Sequence, residues 1–292
     1  MSENPLARLG DLSKPATVLV EKISNAVGGI FKPYQIVRVA KAEAEAERIR
    51  AESQIQVTAL HRRALRRFLE EETKRQSNIE DITQKALPLL KEESSPQNVE
   101  DDWVTNFFDK CRIVSDEDMQ RLWSRVLAGE ANAPGAFSKR TVNLLADLEK
   151  DDAGLFTHLC GYSWDIMGRA APLVYDTKHE IYNRHGINFG SLGHLDSLGL
   201  CRVDALAGFL RGDLPREVFA LYFERALGLT LPESANGRLK VGYVLLTRAG
   251  SELARVCESK PVDGFFDFVF EKWAKQSLAP VGLEVRDIAD DH

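Results

Sequence analysis

The chain has 292 residues, about two domains of ordinary size, with 44% hydrophobic and 28% charged residues and a formal charge of −6 at pH 7. That balance excludes a protein that is basic overall and coats nucleic acid, while leaving room for a local basic patch. No run of about 18 apolar residues occurs, so no transmembrane helix is expected. The opening MSENPLARLGDLSK lacks the charged and apolar regions of a secretory signal.

The first 95 residues read as an arm. After a loosely ordered start, PATVLVEKISNAVGGIF (15–31) sets Leu19, Ile23, Val27 and Ile30 on one helical face, with Pro15 in the first turn and Ser13 as cap. This apolar stripe suits a membrane surface, with Lys14, Lys22 and Lys32 near headgroups, or packing on the protein's own body or a sister subunit. Packing is preferred, because cations are few and Glu21 sits among them. From Tyr34 to Leu87 neither Gly nor Pro interrupts a helical tract whose heart is AKAEAEAERIRAESQ. The apolar register drifts through Ile55, Leu60 and Leu65, which favours a loose helical hairpin or subunit-to-subunit packing over a regular zipper. Within it Arg62 and Arg66, and Arg63 and Arg67, stand at i,i+4. These four are candidates for holding phosphates of lipid or nucleic acid. Glu70, Glu71 and Glu72 follow at once, so a solvated face or an intersubunit ion-pair seam is the preferred reading. KEESSP (91–96) is expected to be a linker.

The stretch Asp101–Arg140 is expected to form the core of a central helical domain, 96–170. Trp103, Phe107 and Phe108 share a face. Ser115 is expected to cap the next helix, with Asp118 at capping-box spacing, and Gly129 to end it. Asp116, Glu117 and Asp118 then complement a helix dipole rather than hold a metal. Ser138 should cap a helix from Lys139 to Leu148, and Asp151 or Asp152 should start another running to about Gly161. The tracts WVTNFFDKCRIVSDEDMQRLWSRVLAGE and PGAFSKRTVNLLADLEKDDAGLF resemble a family of uncharacterised bacterial proteins defined by a domain of unknown function. They are more distantly similar to the Abi-alpha proteins of abortive phage infection, and the likeness extends into the Ala/Glu-rich arm. The resemblance implies a bacterial intracellular protein in phage defence and carries no catalytic residue over.

Residues 171–292 read as a winged-helix-like α+β module. A short helix and a strand fill 187–203, an insertion 205–237, a strand LKVGYVLLT (239–247), a helix TRAGSELARVC, and an amphipathic closing helix DGFFDFVFEKWAKQ (263–276). The helix in the DNA-reading position offers His194, Asp196 and Ser197 but no cation, so protein contact is preferred to groove reading. Arg202, Arg238, Lys240 and Arg248 are the candidates for a basic wing.

No P-loop, dinucleotide-binding, zincin or nucleophile-elbow motif occurs, and His179, His185 and His194 match no zinc spacing. Cys111, Cys160, Cys201 and Cys257 are far apart and form no C-x-x-C pair, as expected of reduced, buried thiols. A Cys160–His158 dyad fails because residues two apart point apart on a helix. No catalytic residue, cofactor or metal is implied. The fold class is therefore mainly α: a long helical arm, a central helical domain and a winged-helix-like module. The expected function is non-enzymatic interaction or assembly, cytoplasmic or peripheral to the inner membrane, with homo-oligomers, a membrane surface or a protein as partners. A DNA-binding regulator is the alternative, and an unrecognised nuclease or other effector enzyme the third.

Overall fold

The computed structural model describes residues 12–27, 59–276, 278 and 281–283, which form a mainly helical chain with a small antiparallel sheet. It divides into two compact units, Met1–Ala146 and Asp147–His292.

In the first unit, helix α1 (Lys14–Val27) starts as expected: Ser13 accepts from Ala16 N through its hydroxyl at 3.4 Å and from Thr17 N through its carbonyl at 3.0 Å. Helix α2 (Ala59–Ala86) follows, then α3 (Asp101–Cys111), α4 (Glu117–Asn132) and α5 (Lys139–Ala146). The core is aromatic. Trp103 stacks on Phe107 at 5.0 Å, Phe107 meets Trp123 edge-on at 5.0 Å, and the Trp103 indole donates to the Phe137 carbonyl at 2.7 Å.

Three local expectations need correction here. The cap of α4 is Asp116, which accepts from Asp118 N and Met119 N at 3.0 Å each. The carboxylate is the better acceptor beside a helix N-terminus, and Ser115 instead faces Asn78. Gly129 does not end α4, which continues to Asn132. Its missing side chain makes room for the Phe137 ring, since a Cβ there would lie 2.6 Å from that ring. Lys91–Pro96 is tied to the end of α4: Ser95 N donates to Ala131 O and Lys91 N to Asn132 Oδ1, both at 3.0 Å.

The second unit opens with α6 (Lys150–Cys160), capped by Glu149 and Asp152 reciprocally. The hairpin β1 (Ser163–Ile166) and β2 (Arg169–Pro172) comes next, then α7 (Glu180–Asn183), α8 (Phe189–Ser197), β3 (Cys201–Val203) and β4 (Phe209–Arg211). The remaining elements are β5 (Glu217–Tyr222), β6 (Arg225–Thr230), β7 (Leu239–Gly242), β8 (Val244–Leu246), α9 (Arg248–Ala254), α10 (Phe265–Lys275) and β9 (Val281–Leu283). An antiparallel sheet runs β2-β1-β5-β6-β9, while β3 pairs with β8 and β4 with β7. The expected boundary after residue 170 falls inside β2. Residues 205–237, expected as an insertion, supply β5 and β6 of the main sheet.

Helix α10 covers that sheet. Trp164 stacks on Phe266 at 5.3 Å and Tyr222 at 5.1 Å, and meets Trp273 edge-on at 5.1 Å. The single strand expected over 239–247 is broken after Gly242, which has φ +100° and whose added Cβ would sit 2.3 Å from the Val174 carbonyl oxygen. The motif LTRAG is a lock. Thr247 accepts from Gly250 N at 3.0 Å and donates to the Gly199 carbonyl at 2.7 Å, and the Thr247 amide donates to the Leu200 carbonyl at 3.1 Å.

Candidate functional site

Helix α2 has two halves of different fate. Its C-terminal half buries Asn78, Ile79, Ile82, Thr83 and Ala86. A polar seam seats that half: Asn78 Nδ2 donates to the Arg112 carbonyl at 2.9 Å, and Lys85 Nζ reaches Gln120 Oε1 at 2.7 Å. Every residue from Ala59 to Phe68 is exposed. At about 100° per residue, Leu60, Ala64, Leu65 and Phe68 fall on the helix side that carries Ile79, Ile82 and Ala86. Two apolar stretches thus share one side of α2, parted by Glu72 and Arg75, the C-terminal one covered and the N-terminal one bare, with Leu60 64%, Leu65 40% and Phe68 59% exposed. Scattered exposed apolar side chains are ordinary, whereas three aligned with a core face make a candidate docking surface.

Arg62, Arg63 and Arg66 face away from that apolar side, and Arg67 borders it. Arg66 pairs with Glu70 at 2.8 Å and Arg67 with Glu71 at 2.5 Å, both exposed pairs of small energetic weight. Among the described residues no acid pairs with Arg62 or Arg63, whose i+4 neighbours are arginines. The helix therefore carries a basic block followed by an acidic one. Of the apolar members of this site, Leu60 and Leu65 were read from the sequence as register drift. The signal is the alternating three-and-four step through Leu65, Phe68, Glu72, Arg75, Ile79, Ile82 and Ala86. Two polar residues interrupt it where the helix enters the body.

The stripe on α1 has the other fate. Leu19 is 1% and Ile23 0% exposed, packed within the first unit against α3 and the turn at Pro96–Asn98. Val27 is half-buried and Ile30 lies outside the described residues. Of the two readings of this stripe, Leu19 and Ile23 lie as the preferred one has it, covered by the protein's own body and not open to a membrane surface. A shallow cleft flanks α1, where Lys22 bridges to Asp101 at 2.7 Å.

The expected basic wing is scattered and partly spent. Arg202 on β3 pairs with Asp196 at 3.1 Å, and Arg248 on α9 with Glu252 at 2.8 Å. Lys240 on β7 lies 5.5 Å from the centre of the Tyr243 ring, and Arg238 precedes it. The polar side chains of α8 are engaged too: Asp196 also accepts from Val203 N at 2.9 Å, and His194 Nε2 meets Asp152 Oδ1 at 2.6 Å. That His194 contact, then the Glu149 amide, holds the Asp152 carboxyl below its usual range against the opposing effect of burial.

Among the described residues no group of three or more His, Cys, Asp or Glu is placed to hold a metal, and no helix is long and apolar enough to cross a membrane. A family model with the description "Protein of unknown function (DUF2806)" matches residues 62–269. No curated protein and no solved structure matches the chain.

Proposed function

The chain belongs to the DUF2806 family, and from that premise we propose that it is a non-enzymatic assembly protein that self-associates through the bare half of α2. The observation that carries this reading is the apolar side of α2, buried from Asn78 to Ala86, interrupted by Glu72 and Arg75, and bare through Leu60, Leu65 and Phe68. Covering what these three side chains still expose contributes roughly 2–5 kcal/mol per protomer, at about 1.5–3 kcal/mol for a whole buried side chain.

The charge order at the stripe's border favours a second copy lying antiparallel. Parallel pairing sets Arg67 beside its own like, whereas antiparallel pairing sets it towards the partner copy's glutamates and keeps the two bodies at opposite ends. The test is sedimentation or light-scattering mass of the full chain against Leu65→Glu/Phe68→Glu. Both positions are solvent-exposed in the single chain, so the variant keeps its folded circular-dichroism spectrum. A defined oligomer that the variant reduces to monomer is the expected result, and equal masses overturn the reading. Truncation at Pro96 is unsuitable, since it would remove the buried half of α2.

The likeness of the Trp103–Glu130 tract to Abi-alpha proteins is the support for setting this assembly in phage defence. Plaque counts on bacteria expressing wild type or the same variant test that setting, and equal phage sensitivity sinks it. The second reading is DNA binding by a winged-helix-like order of α8, β3, β8 and α9. Its support is that no acid pairs with Lys240 or Arg238 among the described residues. Duplex affinity that falls steeply with salt, and is lost in Arg238→Ala/Lys240→Ala, would favour it over assembly.

A further inference from the structure

In the second unit, β3 with β8 and β4 with β7 are successive halves of one ribbon, and its two sides have different fates. Pairing sets Arg202 opposite Leu245 and Leu210 opposite Lys240. Side chains alternate across such a ladder, and Cys201, Leu239, Val241, Val244 and Leu246 go into the core. On the outward side Leu245 and Leu210 stay 42% and 62% exposed, with Arg202 and Lys240 beside them. The two halves of that side adjoin at Tyr243, whose ring centre lies 5.5 Å from the Lys240 ammonium.

Between β3 and β4 the loop 204–208 carries an apolar tip. Leu206 is 98% exposed, between exposed Ala205 and Ala207. The loop that presents it is tied at both ends. Asp204 Oδ1 accepts from Leu206 N at 3.0 Å and from Ala207 N at 2.9 Å, and the Asp204 amide donates to the Tyr243 carbonyl at 3.0 Å. Gly208 closes the loop onto the ribbon at φ +68°, where an added Cβ would stand 2.9 Å from the Gly242 carbonyl oxygen. The charge around the tip is mainly positive. Lys240 and Arg238 are exposed with no acid paired to them among the described residues. Arg202 pairs with Asp196 yet keeps its side chain 66% exposed, and the Asp204 carboxylate is engaged by the loop's own amides.

We propose that this outward side, with Leu206 at its tip, is a docking surface for an anionic lipid bilayer. Leu206, Leu210 and Leu245 enter the boundary of the acyl chains, while Lys240, Arg238 and Arg202 keep their charged heads among the headgroup phosphates. Charge complementarity sets the sign of the surface, and shape sets its kind. Leu206 protrudes, and hydrocarbon takes up a protruding apolar side chain without the matching pocket that a protein partner must supply. A nucleic-acid backbone would satisfy the cations and leave the three leucines in water. The inference is independent of α2 and of the assembly reading.

The test is co-sedimentation of the full chain with vesicles of phosphatidylglycerol and phosphatidylethanolamine, against vesicles of phosphatidylcholine alone. Binding to the anionic vesicles that weakens as salt rises is the expected result. Leu206→Glu/Leu210→Glu, at two exposed positions, should lower that affinity about tenfold or more. Arg238→Ala/Lys240→Ala should lower it and flatten the salt dependence. Insertion is read directly from Leu206→Cys carrying an environment-sensitive dye, since the four native cysteines are buried, and its emission should shift to the blue on anionic vesicles. A full chain that stays in solution with anionic vesicles, or binds a DNA duplex in their place, overturns the proposal. So does dye emission that does not shift, or an affinity that Leu206→Glu/Leu210→Glu leaves unchanged. Both ribbon variants leave α2 as it is, so this proposal and the assembly reading fail separately.

Discussion

Replacing Gly250 with alanine is expected to destabilise the second unit, although helix propensity alone argues the other way. Gly250 lies in α9 with an ordinary negative φ, where alanine would favour the helix by about 1 kcal/mol. The added Cβ, however, would stand 1.9 Å from the Leu200 carbonyl oxygen. That oxygen also accepts from the Thr247 amide at 3.1 Å and hydroxyl at 3.2 Å, so moving it away strains both bonds. Losing them costs about 1 kcal/mol each, and overpacking against backbone adds about 1–3 kcal/mol. After the propensity gain, the net loss is about 2–4 kcal/mol. For a unit of this size that lowers the melting temperature by roughly 5–15 °C, measured by calorimetry or circular dichroism. Gly154→Ala and Gly193→Ala, in α6 and α8 with no atom within 4 Å of the added Cβ, are the controls and should be neutral or stabilising. A Gly250→Ala protein that melts at or above wild type would refute the close approach of α9 to Leu200.

Glu130 is 3% exposed and receives Gly135 N on Oε1 at 2.7 Å and Phe137 N on Oε2 at 2.8 Å, so its carboxylate shapes the turn after α4. Glu130→Ala strands both donors and should cost about 2–6 kcal/mol in urea unfolding, with Glu130→Gln losing about half, since each unsatisfied buried donor costs about 1–3 kcal/mol. An alanine variant no less stable than the glutamine one would contradict this role. The depressed Asp152 carboxyl makes a pH prediction. A folded-state pKa below the unfolded one gives stability that is complete above the ordinary carboxylate value of about 3.9, and that is lost as pH falls through the folded value. Urea midpoints of Asp152→Asn should be lowered at pH 7 and should decline less than wild type below about pH 4. Parallel decline of the two proteins would show that the His194 contact does not form in solution.

Helices were legible where composition and period agreed. Trp103, Phe107 and Phe108 are buried on one face of α3, and Ser138 caps α5 through Thr141 N at 3.3 Å. In α10 the inward Phe265, Phe266, Val269 and Trp273 are as the period requires. The sheet was not legible, for physical reasons. Strands β1 and β2 are four residues each and turn on Met167 and Gly168 at positive φ, without the Asn-Gly pair that usually announces such a hairpin. Strand β6, RALGLT, buries Ala226, Leu227 and Leu229 and shows no two-residue alternation. On α2 the arginines were visible in the sequence and the neighbouring apolar stripe was not. Its period became plain only once Ile79, Ile82 and Ala86 were known to be core.

The bare half of α2 grows from turns that the first unit has already set. A helix of that length standing alone must first close a turn against a nucleation factor of about 10⁻³, a barrier near 4 kcal/mol. Here Asn78–Ala86, held by the Arg112 carbonyl and Gln120, serves as the seed, and the residues before it need only propagate. On the proposed assembly reading a partner would meet a rod rather than a coil, with the ordering entropy that weakens recognition by flexible segments already largely spent inside the monomer.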